Sequence, residues 1–103
     1  AIEALAQVAD EPEFRRLILD LVGQYARQFH APKAFVAGES PVPVSGKVYG
    51  DRDMQALVDS ALDFWLTTGR FNSAFEERLS ARLGVKHALT TNSGSSANLL
   101  ALS

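Results

Sequence analysis

A small, hydroxyl-rich turn near the carboxyl end of the sequence has residue types suited to binding an anion. It follows an extended segment at 85–91, precedes a helical apolar pattern and reads Asn92-Ser93-Gly94-Ser95-Ser96. The first N–H groups of a helix lack intrahelical acceptors and carry the positive end of the helix dipole. Gly94 lets a ligand approach the backbone, while the serines add hydroxyl donors. The turn therefore predicts a phosphate site at Gly94 with hydroxyl donors from Ser93, Ser95 and Ser96, and an ordinary serine N-cap is the alternative.

A second polar junction, Thr67-Thr68-Gly69-Arg70, lies between two helical patterns. Arginine can pair with a phosphate or a carboxylate through two parallel hydrogen bonds. Gly69 and Arg70 are therefore candidates for a substrate contact or a subunit seam. A helix end followed by a solvated arginine is the alternative.

The remaining polar residues do not form a catalytic or metal-binding pattern. His30 and His87 have no second ligand at metal-binding spacing, and the turn lacks the G-x-S-x-G arrangement of a serine nucleophile. We therefore assign no catalytic residue and no metal ligand in these residues. Asp59 and Asp63 are predicted to be solvated, and Glu76 is predicted to form a capping box with Ser73.

Composition excludes several function classes. The 103 residues carry a formal net charge of −2, which gives no basic field for nucleic acid. No apolar run approaches the roughly 20 residues that span a bilayer, and no cationic-then-apolar leader is present, so we expect a cytoplasmic protein with no membrane contact. The absence of cysteine excludes disulfides and thiolate metal sites from these residues.

Hydrophobic periodicity predicts three main helices. A lead-in helix at 1–9 is followed by a strong helix whose apolar face contains Phe14, Leu17, Ile18, Leu21, Val22 and Tyr25. It should end near His30 because Pro32 disfavours helical geometry in the preceding residue, and Gly23 should weaken it. The next helix should begin at an Asp51 N-cap and end at Gly69, with Met54 and Trp65 in the core. A third, with Phe75 in the core, should end at Gly84.

Two other segments complete the predicted organisation. Residues 32–50 contain several prolines and glycines but also aromatic residues and valines, which indicates an ordered, irregular segment that crosses another surface. Residues 85–91 are predicted to form one short buried strand. The chain should thus be mainly α-helical, divided into residues 1–50 and 51–103. Because its last apolar helix has no stop signal, we expect a fragment of a longer protein.

Several of these motifs, taken in order, resemble the start of the sugar aminotransferase family. The matching runs are Trp65-Leu66-Thr67-Thr68-Gly69-Arg70-Phe71, Phe75-Glu76, Leu83-Gly84-Val85 and Thr91-Asn92-Ser93-Gly94-Ser95-Ser96-Ala97-Asn98-Leu99-Leu100-Ala101-Leu102. Most members read Ser-Gly-Thr-Ala-Ala-Leu at the turn, so Ser95 and Ser96 are departures that still retain a hydroxyl. The resemblance implies an α/β, fold-type-I, pyridoxal-phosphate-dependent enzyme, of which residues 51–103 would begin the large domain.

The chain is more closely similar to one branch of that family, the CDP-4-keto-6-deoxyglucose 3-dehydratases of lipopolysaccharide O-antigen biosynthesis. Its N-terminal helix, the run at 32–38, the run at 43–48 and the Thr-Thr-Gly-Arg-Phe-Asn run all resemble that branch. The resemblance implies a homodimer that uses pyridoxamine 5′-phosphate to remove the 3-hydroxyl of a CDP-linked 4-keto-6-deoxy sugar. It also implies a two-iron, two-sulfur (iron–sulfur) cluster and an electron-donating reductase, with the cluster ligands outside these residues.

Carried over by position, Gly94, Ser95 and Ser96 would hold the cofactor phosphate, and Gly69 and Arg70 would line a site shared across the dimer seam. Two other interpretations stay open. The parent protein could be a pyridoxal-phosphate-dependent nucleotide-sugar aminotransferase, which needs no iron. Alternatively, the chain could be a helical interaction module without a ligand, in which the turn is only a cap.

Overall fold

The computed structural model describes residues 2–103, which contain five helices. In chain order these are α1 (Ile2–Val8), α2 (Glu11–Phe29), α3 (Asp51–Asp63), α4 (Arg70–Leu83) and α5 (Gly94–Leu102). They form two compact units, one ending at Phe64 and the other running from Trp65 to Ser103. The predicted lead-in at 1–9 is α1, except that Ala1 lies outside the described residues. Within 2–103, no helix has the length and apolar character needed to cross a membrane.

Helix α2 has the limits that its sequence predicts. Asp10 is the N-cap, and its Oδ1 accepts a hydrogen bond of 2.9 Å from the backbone N–H of Glu13. Pro12 lies in the first turn, where its missing N–H costs no helical bond. The helix ends at Phe29, and the His30 N–H closes it by donating to the Ala26 carbonyl. The predicted end near His30 is therefore confirmed.

Helices α2 and α3 pack against each other in the first unit. Arg15 pairs with Asp59, and Arg27 pairs with Asp51, so the contacts run in opposite directions along the two helices, which are antiparallel. Between these pairs, the Gln55 side-chain amide donates a hydrogen bond of 2.8 Å to the Leu19 carbonyl. Polar contacts thus fix the register of the pair along most of its length.

Gly23 lies where the Gln55 side chain of α3 comes close to the α2 backbone. It is buried, and a Cβ built at this position would lie 2.6 Å from Nε2 of Gln55. Neighbouring Ala26 is also buried, with 4% of its surface exposed. The sequence interpretation treated Gly23 only as a cost to the helix, but the structure shows that its missing side chain makes room for Gln55.

The prediction that Asp59 and Asp63 are solvated is wrong for Asp59, which is half-buried, whereas Asp63 is exposed as predicted. Both carboxylates pair with Arg15, whose side chain is 24% exposed, and the Arg15–Asp63 distance is 3.1 Å. The apolar pattern of α2 predicted a buried face that includes Phe14 and Tyr25, but both of these side chains are exposed. Hydrophobic periodicity misses this arrangement because a long arginine side chain can reach carboxylates on a neighbouring helix.

Helix α3 starts close to its predicted position but ends earlier. Gly50 is the N-cap, with Asp51 as the first helical residue, and the Gly50 N–H donates to Asp53 Oδ2 at 2.7 Å. Phe64 adopts a left-handed conformation with φ of 46° and ends the helix, so the predicted continuation to Gly69 is wrong. Trp65 lies outside the helix and folds back, its indole N–H donating to the Thr68 carbonyl at 2.8 Å.

Two predicted core residues are exposed. Trp65 is 66% exposed and Phe75 is 55% exposed, whereas Met54 is half-buried. An apolar stripe is buried only where a second surface covers it, and the described residues of the second unit do not cover these rings. The prediction of a core role for Trp65 and Phe75 is therefore not met within this chain.

Helix α4 begins at Arg70, with Gly69 as its N-cap, three residues before the predicted Ser73–Glu76 capping box. That box is wrong because Glu76 lies within the helix and its carboxylate bonds Thr90 instead. Gly84 ends the helix in the left-handed conformation, with φ of 68°, as predicted. Glycine adopts this conformation without the steric penalty that a Cβ would bring.

The predicted strand at 85–91 is absent, since no residue from 2 to 103 forms a β-strand. The residue types of this segment favour an extended conformation, but no neighbouring strand among the described residues completes a hydrogen-bonded ladder. Val85 and Leu89 are accordingly 50% and 71% exposed. The mainly helical character of the chain is confirmed, and the single short strand is not.

Residues 32–50 contain no helix or strand, as predicted. The segment returns to α2 where Tyr49 Oη lies 3.0 Å from Nδ1 of His30. Val42, Val44 and Val48 are exposed, so the surface that they were predicted to cross is not formed by the described residues.

Candidate functional site

The turn before α5 is shaped by its own serine and threonine side chains. Ser93 is the N-cap in an extended conformation, and its Oγ accepts a hydrogen bond of 3.1 Å from the Ser96 N–H. Its carbonyl accepts from the Ala97 N–H and from the Thr91 hydroxyl, the latter at 3.0 Å. The predicted helix start is confirmed, and the cap that formed the alternative interpretation is also present.

Two backbone amides stay unpaired at this helix end. Among the described residues, the N–H groups of Gly94 and Ser95 donate no hydrogen bond. A Cβ built at Gly94 would meet nothing within 4 Å, so the packing of this chain does not require glycine there. The first turn of α5 contains no acidic residue. These amides and the helix dipole therefore favour an anion beside Gly94.

The three predicted phosphate residues differ in what they can offer. Gly94 offers its amide, and Ser95 offers both an amide and an exposed hydroxyl. The Ser96 amide is already bonded to Ser93, and its hydroxyl lies 3.1 Å from Ser93 Oγ. Phosphate oxygens accept such donors, so the residues present fit a phosphate group, with Ser96 contributing through its hydroxyl alone.

An open cleft of about 520 Å³ adjoins the same turn. Its lining residues are Thr91, Asn92, Ser96, Leu99, Leu100 and Ser103. Leu99 and Leu100 make the wall mostly apolar, and Thr91 and Ser96 bring hydroxyls to it from the turn. The cleft thus offers an apolar surface beside hydrogen-bond donors, a combination typical of small-ligand sites.

Gly69 and Arg70 lie together at the start of α4. The Trp65 ring lies against Gly69, where an added Cβ would come within 3.0 Å of Cδ1 of that ring. The Arg70 guanidinium lies 4.1 Å from the centroid of the Phe71 ring. A cation at a helix N-terminus opposes the helix dipole, and an anionic ligand or partner would offset that unfavourable charge.

Sequence reasoning missed a polar cluster that joins α4 to the segment before the turn. Glu76 Oε1 accepts hydrogen bonds of 3.0 Å from both the backbone N–H and the hydroxyl of Thr90. Asn72 donates to the same oxygen at 3.0 Å. These bonds, led by the one from the Thr90 backbone, lower the pKa of Glu76 below its usual value. The available signal was the four-residue spacing of Asn72 and Glu76, which places them on one helix face.

Among residues 2–103, no three histidine, aspartate or glutamate side chains gather as a group that could hold a metal ion. The three carboxylates near Arg15 are instead paired with its guanidinium. Asp59 and Glu11 are the main causes of a raised Arg15 pKa. This part of α2 and α3 is therefore an ion-pair cluster.

The match to known proteins covers both polar junctions. Residues 48–103, more than half of the chain, match the DegT/DnrJ/EryC1/StrS aminotransferase family. The lipopolysaccharide biosynthesis protein RfbH of Salmonella typhimurium is 60% identical over 88 residues, which are 85% of this chain and 20% of that protein. The dTDP-4-dehydro-2,6-dideoxy-D-glucose 3-dehydratase of Saccharopolyspora spinosa is 41% identical over 92 residues, 89% of this chain and 20% of the relative.

The chain therefore spans about a fifth of the length of each of these curated relatives. The matched family has the aminotransferase fold and depends on pyridoxal or pyridoxamine 5′-phosphate. Its match includes Gly69, Arg70 and the whole turn from Asn92 to Ser96. This chain belongs to the DegT/DnrJ/EryC1/StrS aminotransferase family.

Proposed function

We propose that this chain supplies the cofactor-phosphate turn of a pyridoxamine-phosphate-dependent 3-dehydratase. The substrate would be a CDP-linked 4-keto-6-deoxy sugar, and the product would enter O-antigen dideoxysugar synthesis. The observation that carries the proposal is the pair of unpaired amides at Gly94 and Ser95, within the part of the chain that matches a cofactor-dependent family. The two relatives, one a lipopolysaccharide biosynthesis protein and one a sugar 3-dehydratase, support the reaction class.

The residues of the turn would bind and orient the phosphate. The amides of Gly94 and Ser95 would donate to its oxygens, and the hydroxyls of Ser95 and Ser96 would add further donors. The Ser93 hydroxyl accepts a hydrogen bond from the Ser96 amide, which follows these two along the helix. This bond would hold the first turn so that the Gly94 and Ser95 amides face outward. The apolar cleft next to Leu99 would exclude water from one side of the ligand.

When bound, pyridoxamine phosphate supplies an amine that reacts with a 4-keto sugar and a ring that accepts electrons as the 3-hydroxyl leaves. Gly69 and Arg70 would serve the same site from a subunit seam. Arg70 would hold an anionic part of the nucleotide sugar through its planar guanidinium.

The rest of the proposed system lies outside these residues. We propose a cytoplasmic homodimer that receives electrons from a reductase through a two-iron, two-sulfur cluster. The chain has no cysteine, so its own residues do not fit that cluster. The exposed valines of 32–50 are candidates for contact with the second subunit or with another part of the longer protein.

The proposal is tested in the full-length protein by changing the hydroxyls of the turn. The double variant Ser95→Ala/Ser96→Ala should bind pyridoxal 5′-phosphate more weakly by about 1.5–3 kcal/mol for each charge-assisted hydrogen bond lost. Binding of pyridoxal, which lacks the phosphate, should not change. Ser80→Ala is a matched control because its hydroxyl bonds the Glu77 carbonyl within α4. Equal retention of the phosphate form by the double variant and the control would contradict the site.

The reaction is tested separately with cofactor, reductase and CDP-4-keto-6-deoxyglucose. Mass spectrometry of the product should show loss of the 3-hydroxyl and a keto group at position 4, whose oxygen comes from water when the product is released from the cofactor amine. A 4-amino sugar formed without reductase would identify the aminotransferase alternative. Absence of any B6 absorbance in the purified full-length protein would favour an interaction module that binds no ligand.

A further inference from the structure

The cluster of Glu76, Asn72 and Thr90 lies just before the candidate phosphate turn. One oxygen of Glu76 accepts three hydrogen bonds of 3.0 Å, from the Thr90 amide, the Thr90 hydroxyl and the Asn72 side chain. The Thr90 hydroxyl also lies 2.7 Å from Oδ1 of Asn72, so its single hydrogen has two acceptors available. The cluster holds both the backbone and the side chain of Thr90 against α4.

This attachment acts on a segment that has no other regular structure. Residues 85–91 belong to no helix or strand, so no ladder fixes their position. After Thr90, the Thr91 hydroxyl bonds the Ser93 carbonyl at 3.0 Å, and Ser93 caps α5. A short hydrogen-bonded path therefore leads from α4 to the helix end that presents the Gly94 amide.

We propose that Glu76 is a positioning residue that fixes the phosphate-binding turn through Thr90. This inference rests on the proposed function, because it concerns the same phosphate site. The charge of Glu76 argues against direct contact with a phosphate, since two anions repel. Its carboxylate instead accepts hydrogen bonds from three neutral donors of Asn72 and Thr90, which is typical of a structural role.

The experiment compares Glu76→Ala, Glu76→Gln and the control Glu77→Ala in the full-length protein. Glu77 is the adjacent carboxylate on α4 and lies outside the Thr90 cluster, so Glu77→Ala removes the same charge from the same helix. For each variant, dissociation constants are measured for pyridoxal 5′-phosphate and for pyridoxal. Their ratio reports the phosphate contribution, and hydrogen exchange reports the protection of the Thr90 amide.

Glu76→Ala should reduce the ratio by about tenfold, since an acceptor for one backbone amide and one hydroxyl is lost. Glu76→Gln retains an acceptor oxygen and should restore most of the preference, whereas Glu77→Ala should match the unmodified protein. Faster exchange at Thr90 in Glu76→Ala would accompany the loss. Should Glu76→Ala fail to fold, Thr90→Val provides the second variant, because it removes the hydroxyl and leaves the backbone bond.

The two proposals fail in different ways. A preserved ratio in Glu76→Ala, together with a reduced ratio in Ser95→Ala/Ser96→Ala, would overturn the positioning role and leave the phosphate site standing. A preserved ratio in both variants would overturn the site itself. A loss in Glu76→Gln as large as that in Glu76→Ala would also overturn the inference, because charge rather than hydrogen bonding would then carry the effect.

Discussion

The α2–α3 pair and the region from α4 to α5 use their polar groups differently. In the pair, Arg15 and Arg27 meet carboxylates on the facing helix, and Gln55 bonds a backbone carbonyl of α2. In the α4–α5 region, Glu76 meets neutral donors, while the described residues offer no acceptor to the Gly94 and Ser95 amides. The polar groups of the helix pair bond one another, whereas the α4–α5 region keeps two amide donors available for a ligand.

The two regions also use glycine for different purposes. A side chain at Gly23 would collide with Gln55, so the packing within the chain explains that residue. A side chain at Gly94 would meet nothing within 4 Å. Open space is not specific to a ligand site, since Gly46 is equally open, but at Gly94 it leaves room for a ligand to reach the amides at the start of α5. This contrast supports a ligand role for the turn and a purely structural role for the helix pair.

The largest expected effect tests that contrast at Gly94. In the full-length protein, Gly94→Val should weaken binding of pyridoxal 5′-phosphate by about tenfold or more, because the new side chain occupies the approach to the amides. The free energy of unfolding without cofactor should change by about 0.5 kcal/mol or less. Gly46→Val is the control, since that position is equally open. Equal affinity in the two variants, measured by fluorescence titration, would place the phosphate elsewhere.

Within the helix pair, Arg15→Ala should lower the melting temperature more than Arg27→Ala. Arg15 contacts three carboxylates and its side chain is 24% exposed, whereas Arg27 contacts one and is 59% exposed. Removing Arg15 also leaves Asp59 and Asp63 without its neutralising charge. Thermal unfolding followed by circular dichroism measures the difference, and a larger loss in Arg27→Ala would contradict the importance of the Arg15 cluster.

A double-mutant cycle at Gly23 and Gln55 should give a smaller effect. Gly23→Ala alone should gain little, because its methyl group displaces the Gln55 amide from the Leu19 carbonyl. In a Gln55→Ala background, the same change should stabilise the protein by about 0.5–1 kcal/mol through its better helix propensity. Chemical denaturation measures all four proteins. Additive effects would show that the missing side chain at Gly23 does not serve the hydrogen bond of Gln55.

The smallest expected effect is a difference between Asp51 and Glu76 in how their contributions to stability depend on pH and salt. The Arg27 bond lowers the pKa of Asp51, and the Thr90 backbone bond lowers that of Glu76. Each carboxylate therefore stabilises the fold at pH values above its usual pKa. That stability is lost as the pH falls through the lowered pKa of the folded state. In Asp51→Asn and in Glu76→Gln, the free energy of unfolding should therefore fall less steeply at acid pH than in the unmodified protein. In 1 M salt, the effect of Asp51→Asn should shrink while that of Glu76→Gln persists, because salt screens ion pairs. Equal salt dependence would contradict the distinction.

Local signals in the sequence predicted several features correctly. Asp10 and Pro12 mark the start of α2, Pro32 limits its end, and Gly84 ends α4 because local sterics decide such positions. The serine-rich start of α5 is equally local. The strand at 85–91 was predicted wrongly, since a strand exists only where a neighbouring segment completes its hydrogen bonds.

The sequence by itself determined that the chain is mainly helical and that a serine-capped turn precedes its last helix, because capping and backbone freedom depend on adjacent residues. Only the tertiary structure decided the partners of Arg15, Gln55 and Glu76. Apart from Glu11 and Asn72, which lie four residues from Arg15 and Glu76, those partners lie between 14 and 48 residues away along the chain. Side chains that meet across such separations do so because of how the helices pack, and no local pattern encodes that contact.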